Sequence, residues 1–485
     1  MNYRLILNLL GNLCIAFTII IFLPLVVALI HHSSSVPIFL GTMCLSGLIS
    51  LVCKRYGEMK SNQRMRVREA VIVVGLGWLL VCTMGAIPYY LTGNHDFVTA
   101  LFESVSGFTT TGVTTAQSFS EFSVPVLVWR CLTHWCGGIG VIMLFIVIMP
   151  RMNSGAGYLF NAELPGGMGE RNLPQIKESA KFIVSVYVGL TVLEIFLLLL
   201  VGVDVFQAMN VALATVATGG FSFFHDSLIS FHSVYVEVIT VVFMLISSIN
   251  YSLYYRIWRR DWTAVKEEPE HRYYFGWLFA AFIMIAANLY LTGYMDLFDS
   301  LRYGIFQTIS IGSTTGFASD DFDKWPSFSR YVLFLLMFVG GCSNSTAGGI
   351  KISRMVILLK ASWAELLRTL HPRIVYTIRF GQRIVDPKTV GNITRFFFLY
   401  ISVYIVLTIL ISLSGLNLMD SMGVIAALLS SVGPAFGIVG PTMTYSEIST
   451  YGRIICILAM ILGRLEIFTL LVVFQPDFWT VKKNW

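Results

Sequence analysis

Four short stretches of small and hydroxyl-bearing residues could supply the oxygen ligands that a dehydrated cation needs. They cover residues 109–114, 217–222, 313–318 and 434–439, and such recurrence at a spacing of roughly a hundred residues indicates an internal repeat. Each stretch contains a glycine, which can turn a backbone carbonyl towards an axis at little cost. Rings of carbonyls replace the hydration shell of an ion in selective pores. The four stretches therefore predict the walls of one ion pathway.

The predicted ligands are the residues that flank each glycine. They are Thr110, Thr111, Gly112 and Val113; Thr218, Gly219, Gly220 and Phe221; Thr314, Thr315, Gly316 and Phe317; and Ala435, Phe436, Gly437 and Ile438. A single glycine of this kind could equally end a helix. Four copies at one position in four similar units favour a pore instead.

Two of the stretches contain more than one glycine. In the second stretch, either Gly219 or Gly220 could occupy the position equivalent to that in the first. In the fourth stretch Gly437 is predicted, in preference to Gly433 and Gly440, because Ser431 precedes it by the interval at which serines precede the first and third glycines.

The composition indicates a protein that lies in a membrane. Of the 485 residues, 56% are hydrophobic and 12% are charged, and the mean hydropathy is +0.75. A soluble domain carries about 25% charged residues, so most of this surface must face lipid. The net charge of +6 is then expected at the membrane surface, where it does not indicate nucleic acid. The eight cysteines are expected to be buried thiols and not a disulfide framework.

The apolar segments divide the chain into an N-terminal hairpin and four similar units. The hairpin and a basic loop occupy residues 1–69, and the units are expected at 70–175, 176–272, 273–389 and 390–485. The hairpin helices are predicted at 5–30 and 36–53, and the paired spans of the units at 70–90 and 124–149, 182–203 and 233–255, 273–291 and 329–367, and 390–413 and 446–474. The predicted fold is an all-α polytopic membrane protein, with a two-helix hairpin and four helix–pore helix–helix repeats around a pseudo-fourfold ion pore.

Within each unit a short apolar helix precedes the glycine stretch. These helices are predicted at 97–108, 205–215, 297–309 and 419–430. They are too short to cross a hydrocarbon core of ~30 Å, so they fit re-entrant segments. Non-helical backbone at that depth must be buried in protein or line a wet cavity. The four segments therefore predict a shared central cavity.

The distribution of charge predicts the orientation. Loops after the second helix of each unit are basic, for example 256–272 and 368–388, whereas turns around the short helices carry carboxylates such as Asp96, Asp204 and Asp296. Because Lys and Arg are enriched in cytoplasmic loops, both termini are expected in the cytoplasm. The carboxylates could concentrate cations at an outer mouth or cap the short helices, and both roles are compatible.

The second helix of the third unit contains ten consecutive small or polar residues, 340–349. The candidate gate residues among them are Gly340, Gly341, Ser343, Asn344, Ser345, Thr346, Gly348 and Gly349. Such a run cannot form a stable lipid-facing helix, so it must face protein or water. A gating break is predicted here, and a close contact between small-residue helices is the alternative.

Arg464 lies in the last spanning segment. An intramembrane charge costs at least ~2.5–3.5 kcal/mol on insertion scales, so it is expected to face the pore or a partner. We expect it to add an electrostatic barrier and to bond carbonyls near residues 344–346. Alternatively, the side chain reaches the cytoplasmic surface.

Other chemistry is weakly supported. Cys131, His134 and Cys136 have metal-ligating side chains at irregular spacing, so no transition-metal site is expected. The sequence has no phosphate loop, nucleotide fingerprint or catalytic triad signature. Neither an enzyme nor a covalently bound cofactor is expected.

These features resemble the Trk/Ktr/HKT superfamily of potassium transporters. The resemblance covers essentially the whole chain. It is strong in the first three stretches and in the run Trp-Cys-Gly-Gly-Ile-Gly at 135–140, and the N-terminal hairpin resembles the bacterial Trk membrane subunit. It implies K⁺ uptake across the bacterial plasma (inner) membrane, with K⁺ held at the filter carbonyls, and Gly112 favours K⁺ over Na⁺.

The same resemblance implies a gate and partners. Residues 340–349 would form an intramembrane loop below the filter, with Arg464 beside it. The protein would form a homodimer and bind a cytosolic RCK/KTN-type regulatory ring, which would bind the nucleotide. The alternative function is an ion-coupled secondary transporter, a K⁺/H⁺ or K⁺/Na⁺ symporter. That class also has broken helices and a midplane site, but it typically shows two repeats.

Overall fold

The computed structural model describes residues 1–57, 67–93, 96–117, 122–140, 173–374 and 376–479. Within these residues the regular structure is helical, apart from a two-stranded antiparallel hairpin formed by Arg379–Phe380 and Arg383–Ile384. The sequence did not predict this hairpin, which lies between the last helix of the third unit and the first helix of the fourth. The basic loop at 58–66 and the end of the predicted span 124–149 fall outside the described residues.

The N-terminal hairpin consists of Tyr3–Ile30 and Val36–Tyr56. Its helices pack closely, because the hydroxyls of Ser46 and Ser50 donate hydrogen bonds of 2.8 Å to carbonyls of the first helix. Phe17 meets Trp129 of the first unit edge-on, with ring centroids 5.7 Å apart. The hairpin is therefore fixed against one side of the four-unit body.

Each unit contains a first helix, a short helix and a second helix. The first helices are Val67–Thr92, Leu173–Leu200, Glu270–Leu291 and Pro387–Ser412, and the short helices are Phe97–Phe108, Val205–Val216, Leu297–Gly312 and Leu418–Leu429. The second helices are Val124–Ile139, Val234–Ser248 with Tyr251–Trp258, Ser327–Phe338 with Ile352–Leu370, and Thr450–Arg464 with Glu466–Leu471. Two further short helices are Trp262–Glu267 and Pro476–Trp479. Within the described ranges, six helices are long and apolar enough to cross a membrane, or seven if one bent pair counts as a span.

The short helices begin with side-chain caps. Asp96, Asp204, Asp296 and Asn417 are the N-cap residues, and each accepts a hydrogen bond from a backbone amide of the first turn. Three of the acidic residues near these helices are thus caps, which satisfy amides that would otherwise have no partner. The opposite ends, where the helix dipole is negative, lead directly into the glycine stretches.

The second helix of the second unit is broken, whereas the sequence predicted one span over 233–255. It turns by 87° between Ser248 and Tyr251, and the Asn250 side chain caps the new helix by accepting from the Ser252 amide at 2.9 Å. Residues of the run 340–349 form hydrogen bonds with the backbone groups that the break leaves without helical partners. The Cys342 amide donates to the Ser248 carbonyl at 3.0 Å. The break is thus stabilised by another unit, which no local pattern reveals.

Candidate functional site

The four short helices end in the same way. A left-handed residue follows each helix cap, with φ of 56°, 52°, 58° and 56° at Thr110, Thr218, Thr314 and Ser431. The amide of the next residue donates to a carbonyl in the last turn over 2.8 to 3.0 Å; the pairs are Thr111 to Ser106, Gly219 to Ala214, Thr315 to Ser310, and Val432 to Ala427. This is the Schellman ending, in which glycine is the usual left-handed residue. Here threonine or serine takes its place.

A glycine with positive φ follows two positions after each left-handed residue. The values are 81° at Gly112, 74° at Gly220, 79° at Gly316 and 101° at Gly433. These glycines therefore do not end the helices, which was the alternative explanation, because a hydroxyl residue already does so. Their conformation belongs to the stretch beyond the helix.

The four glycines form a closed ring in which each faces the backbone of the next unit. A Cβ atom would overlap the neighbouring carbonyl oxygen in every case: Gly219 for Gly112, Thr315 for Gly220, Val432 for Gly316, and Thr111 for Gly433. We call these four glycines and the four carbonyls they meet the glycine ring. No side chain fits between the segments, so four equivalent carbonyls, one from each unit, follow one another around the ring.

The structure corrects the predicted register of the fourth stretch. Ser431 is the left-handed residue equivalent to Thr110, not to Ser106, so the ring glycine is Gly433 and the choice of Gly437 is wrong. Gly437 starts the short 3₁₀ turn Gly437–Val439, where a Cβ would overlap the Asp420 side chain.

The other residues predicted around Gly437 also lie beyond the ring. The Ala435 amide donates to the Val439 carbonyl at 3.0 Å. Phe436 packs on Phe322, with ring centroids 5.6 Å apart.

In the second stretch the ring position is Gly220, and Gly219 is equivalent to Thr111. Gly219 is a glycine for a different reason: a Cβ there would lie 2.5 Å from Nδ1 of His134. The two adjacent glycines therefore serve two separate close contacts.

Hydroxyl side chains brace two of the segments from behind. The Ser106 hydroxyl donates to the Val113 carbonyl at 2.6 Å and accepts from the Val113 amide at 2.8 Å. In the third unit Ser310 donates to the Phe317 carbonyl at 2.6 Å. These serines hold the residue just after the glycine, which fixes the segment on the side away from the ring.

Two small cavities lie on either side of the ring. The outer cavity, of about 60 Å³, is lined by residues that follow the ring glycines and by Arg130 and Tyr445. The inner cavity, of about 70 Å³, is lined by Ser431, Arg464 and residues of the run 340–349. The ring therefore lies between two cavities.

The run 340–349 is not helical and lines the inner cavity. Val339 and Ile350 pair as a β-bridge, so the two ends of the loop lie together. The Gly348 amide donates to the Thr314 hydroxyl at 2.7 Å, and Thr346 donates to the Val216 carbonyl at 3.3 Å. The loop thus touches the ends of the second and third short helices, directly below the ring.

A buried carboxylate anchors the loop from the N-terminal end of the third unit's first helix. Oε1 of Glu270 accepts from the Ser343 amide at 2.8 Å and from its hydroxyl at 2.9 Å. Sequence reasoning missed Glu270, because a charged residue at the start of a helix usually marks the membrane surface.

Arg464 lies beside the loop at the end of the helix Thr450–Arg464. Nη1 is 3.5 Å from the Thr346 carbonyl and 3.5 Å from the Thr110 hydroxyl, and Nη2 donates to the Gly137 carbonyl. The guanidinium therefore contacts the loop and the first unit together, and one of its partners is a carbonyl of the predicted group near residues 344–346.

The residues with metal-ligating side chains do not form a metal centre. Among the described residues, no group of three or more His, Cys, Asp or Glu side chains could hold a metal ion. Cys131 accepts from Asn210 Nδ2 at 2.7 Å, and His134 is stacked on Phe221.

Comparisons with known proteins agree on one family. A family model described as TrkH, a cation transport protein, matches residues 43–480. The Trk system potassium uptake protein TrkH of Escherichia coli K12 is 33% identical, over 99% of this chain and 100% of that protein. The protein of the same description from Halomonas elongata is 32% identical, over 99% and 100%. The crystal structure of the potassium transporter TrkH from Vibrio parahaemolyticus matches with a TM-score of 0.89 and 30% identity, over 99% of this chain and 100% of that chain.

The close packing of the ring predicts a position-specific loss of stability. Gly433→Ala should lower the midpoint of thermal unfolding of the purified protein in detergent, because its methyl group must displace the Thr111 carbonyl. Gly276→Ala is the control, since its Cβ meets nothing within 4 Å and alanine favours a helix. Equal midpoints for the two variants would contradict the ring.

Proposed function

The chain belongs to the TrkH family of cation transport proteins, and we propose that it forms the ion-conducting subunit of a potassium uptake system. Relatives of nearly equal length are named potassium uptake proteins. The observation that carries the proposal is the glycine ring, in which one segment from each unit approaches the next through a glycine. K⁺ is the permeant ion, and the ring carbonyls replace its water.

The proposed filter comprises the ring and the residues next to it. These are Thr110, Thr111, Gly112 and Val113; Thr218, Gly219, Gly220 and Phe221; Thr314, Thr315, Gly316 and Phe317; and Ser431, Val432, Gly433 and Pro434. The negative ends of the four short helices point into this region and favour a cation there. Hydroxyl residues at the inner edge supply further oxygen ligands.

The loop 340–349 is the proposed gate, and Arg464 is part of it. A Cβ on Gly348 would overlap the Ser430 carbonyl of the fourth unit, while Arg464 contacts the first unit. The loop also contacts the second and third units through Thr346 and Gly348. The loop and Arg464 together therefore contact all four units just before their ring glycines. Their displacement would open the path between the inner cavity and the cytoplasm.

We also propose where the protein lies and with which subunits it assembles. The basic cytoplasmic loops support an inner-membrane protein with both termini in the cytoplasm. The exposed basic segment 368–388 suits a cytosolic regulatory ring that binds the nucleotide, and the pore subunit is a homodimer. Mass measurement of the complex purified with and without its cytosolic partner tests this assembly. The alternative, an ion-coupled symporter, would give no flux without a second ion gradient.

Selectivity should depend on Gly433 and not on Gly437. In liposomes, the wild-type protein should carry rubidium passively and prefer K⁺ to Na⁺. Gly433→Ser should reduce the K⁺/Na⁺ permeability ratio by about tenfold, the effect of 1.4 kcal/mol of differential binding. Gly437→Ser should lower the protein yield, because its Cβ would overlap the Asp420 side chain. It should leave the permeability ratio unchanged, because Gly437 lies outside the ring. A loss of selectivity in Gly437→Ser alone would contradict the assigned register.

Deleting residues 341–348 should raise flux without changing selectivity. The flanking residues Val339 and Ile350 form a parallel β-bridge, so the two ends lie close together. Because they run in the same direction, Gly340 and Gly349 must rearrange to join them. Arg464→Ala should also raise flux, because it removes a positive charge below the filter. Arg453→Ala, on the same helix but bonded to Thr99 and Ser446, should not. Unchanged flux in both the deletion and Arg464→Ala would argue against the gate.

A further inference from the structure

A buried ion pair lies behind the first filter segment. Arg130, on the second helix of the first unit, has Nη1 at 3.6 Å from Oε2 of Glu103, and the two side chains are 3% and 1% exposed. Burying a charge pair is favourable only where the geometry also satisfies further hydrogen-bonding groups.

Glu103 holds the outer end of the first segment. Its Oε1 accepts from the Thr115 amide at 2.6 Å, from the Thr115 hydroxyl at 2.8 Å and from the Thr114 hydroxyl at 2.9 Å. One carboxylate oxygen thus fixes the two residues that follow Val113, and the other faces Arg130. The position of the first segment therefore depends on the position of this carboxylate.

Arg130 also holds the second segment. Its guanidinium lies over the ring of Phe221, with Cζ at 3.8 Å from the ring centroid. His134, one turn further along the same helix, is stacked on Phe221 with a centroid distance of 3.8 Å and an interplanar angle of 2°. Two groups this close to one centroid cannot share a face, so Phe221 lies between them.

This sandwich acts next to the ring. Phe221 directly follows Gly220, and Gly219 lies against the His134 ring. Both sides of the second ring glycine are thus set by one helix of the first unit. Arg130 also lines the outer cavity.

We propose that Arg130 is a selectivity-determining positioning residue, which fixes the spacing between the first and second filter segments by pairing with Glu103 and clamping Phe221 against His134. The inference rests on the proposed function and identifies what sets the ring's dimension. A planar guanidinium can pair with a carboxylate and stack on an aromatic face at the same time, whereas an ammonium group is a point charge that cannot do both. Discrimination between ions depends on how many carbonyls meet the ion and how they are held.

The test compares permeability ratios in liposomes with K⁺ on one side and Na⁺ on the other. Arg130→Lys keeps the charge and loses the planar clamp, so it should reduce the K⁺/Na⁺ ratio about tenfold while rubidium flux persists. Phe221→Leu should also reduce the ratio, because it removes the aromatic ring that Arg130 and His134 hold between them. Arg302→Lys is the control, because Arg302, on the short helix of the third unit, pairs at 2.7 Å with Glu237 on the second helix of the second unit, away from the Arg130 clamp.

A charge-neutral double variant separates positioning from charge balance. Glu103→Gln with Arg130→Met removes both buried charges, so no unpaired charge is left in the interior and the protein should still fold. Its K⁺/Na⁺ ratio should nevertheless be reduced, because the clamp on Phe221 is lost. A normal ratio in this double variant, or in both Arg130→Lys and Phe221→Leu, would overturn the inference. A wild-type protein without K⁺ preference would instead overturn the proposed function, and the inference with it.

Discussion

The close approach of one backbone segment to the next in the glycine ring limits what the rest of the structure can be. Each ring glycine leaves no room for a Cβ beside the neighbouring carbonyl, so the four segments must meet within tight limits. Loops of this kind have little stability of their own. The capped short helices, the serine braces and the Arg130 clamp hold the segments from behind, which leaves their inner faces free of large side chains.

Irregular backbone at membrane depth must find hydrogen-bond partners within the protein. The loop 340–349 and the broken helix of the second unit solve this problem together, because the Ser248 carbonyl and the Tyr251 amide bond to the loop. A movement of the loop would therefore release groups in two units at once.

Charges within the membrane region are placed in pairs or against carbonyls. Glu103 faces Arg130, Glu237 faces Arg302, and Glu466 faces Arg354 at 2.9 Å. Arg464 lies against backbone carbonyls and a hydroxyl. Each of these arginines therefore has polar groups around it, as charged groups away from water require.

The sequence by itself determined the membrane setting, the four-unit pore fold and the family, and the comparisons confirm these. It also singled out Gly112 and Gly316, because each follows a run of hydroxyl residues at the end of a short apolar segment. That pattern is local and can be seen in the sequence. Tertiary structure alone decided the register at Gly433, the separate roles of Gly219 and Gly220, the break after Ser248 and the partners of Arg130. The physical reason is that each of these depends on a contact from another unit. A serine at position 431 can either brace a segment or end a helix, and only the neighbouring backbone determines which.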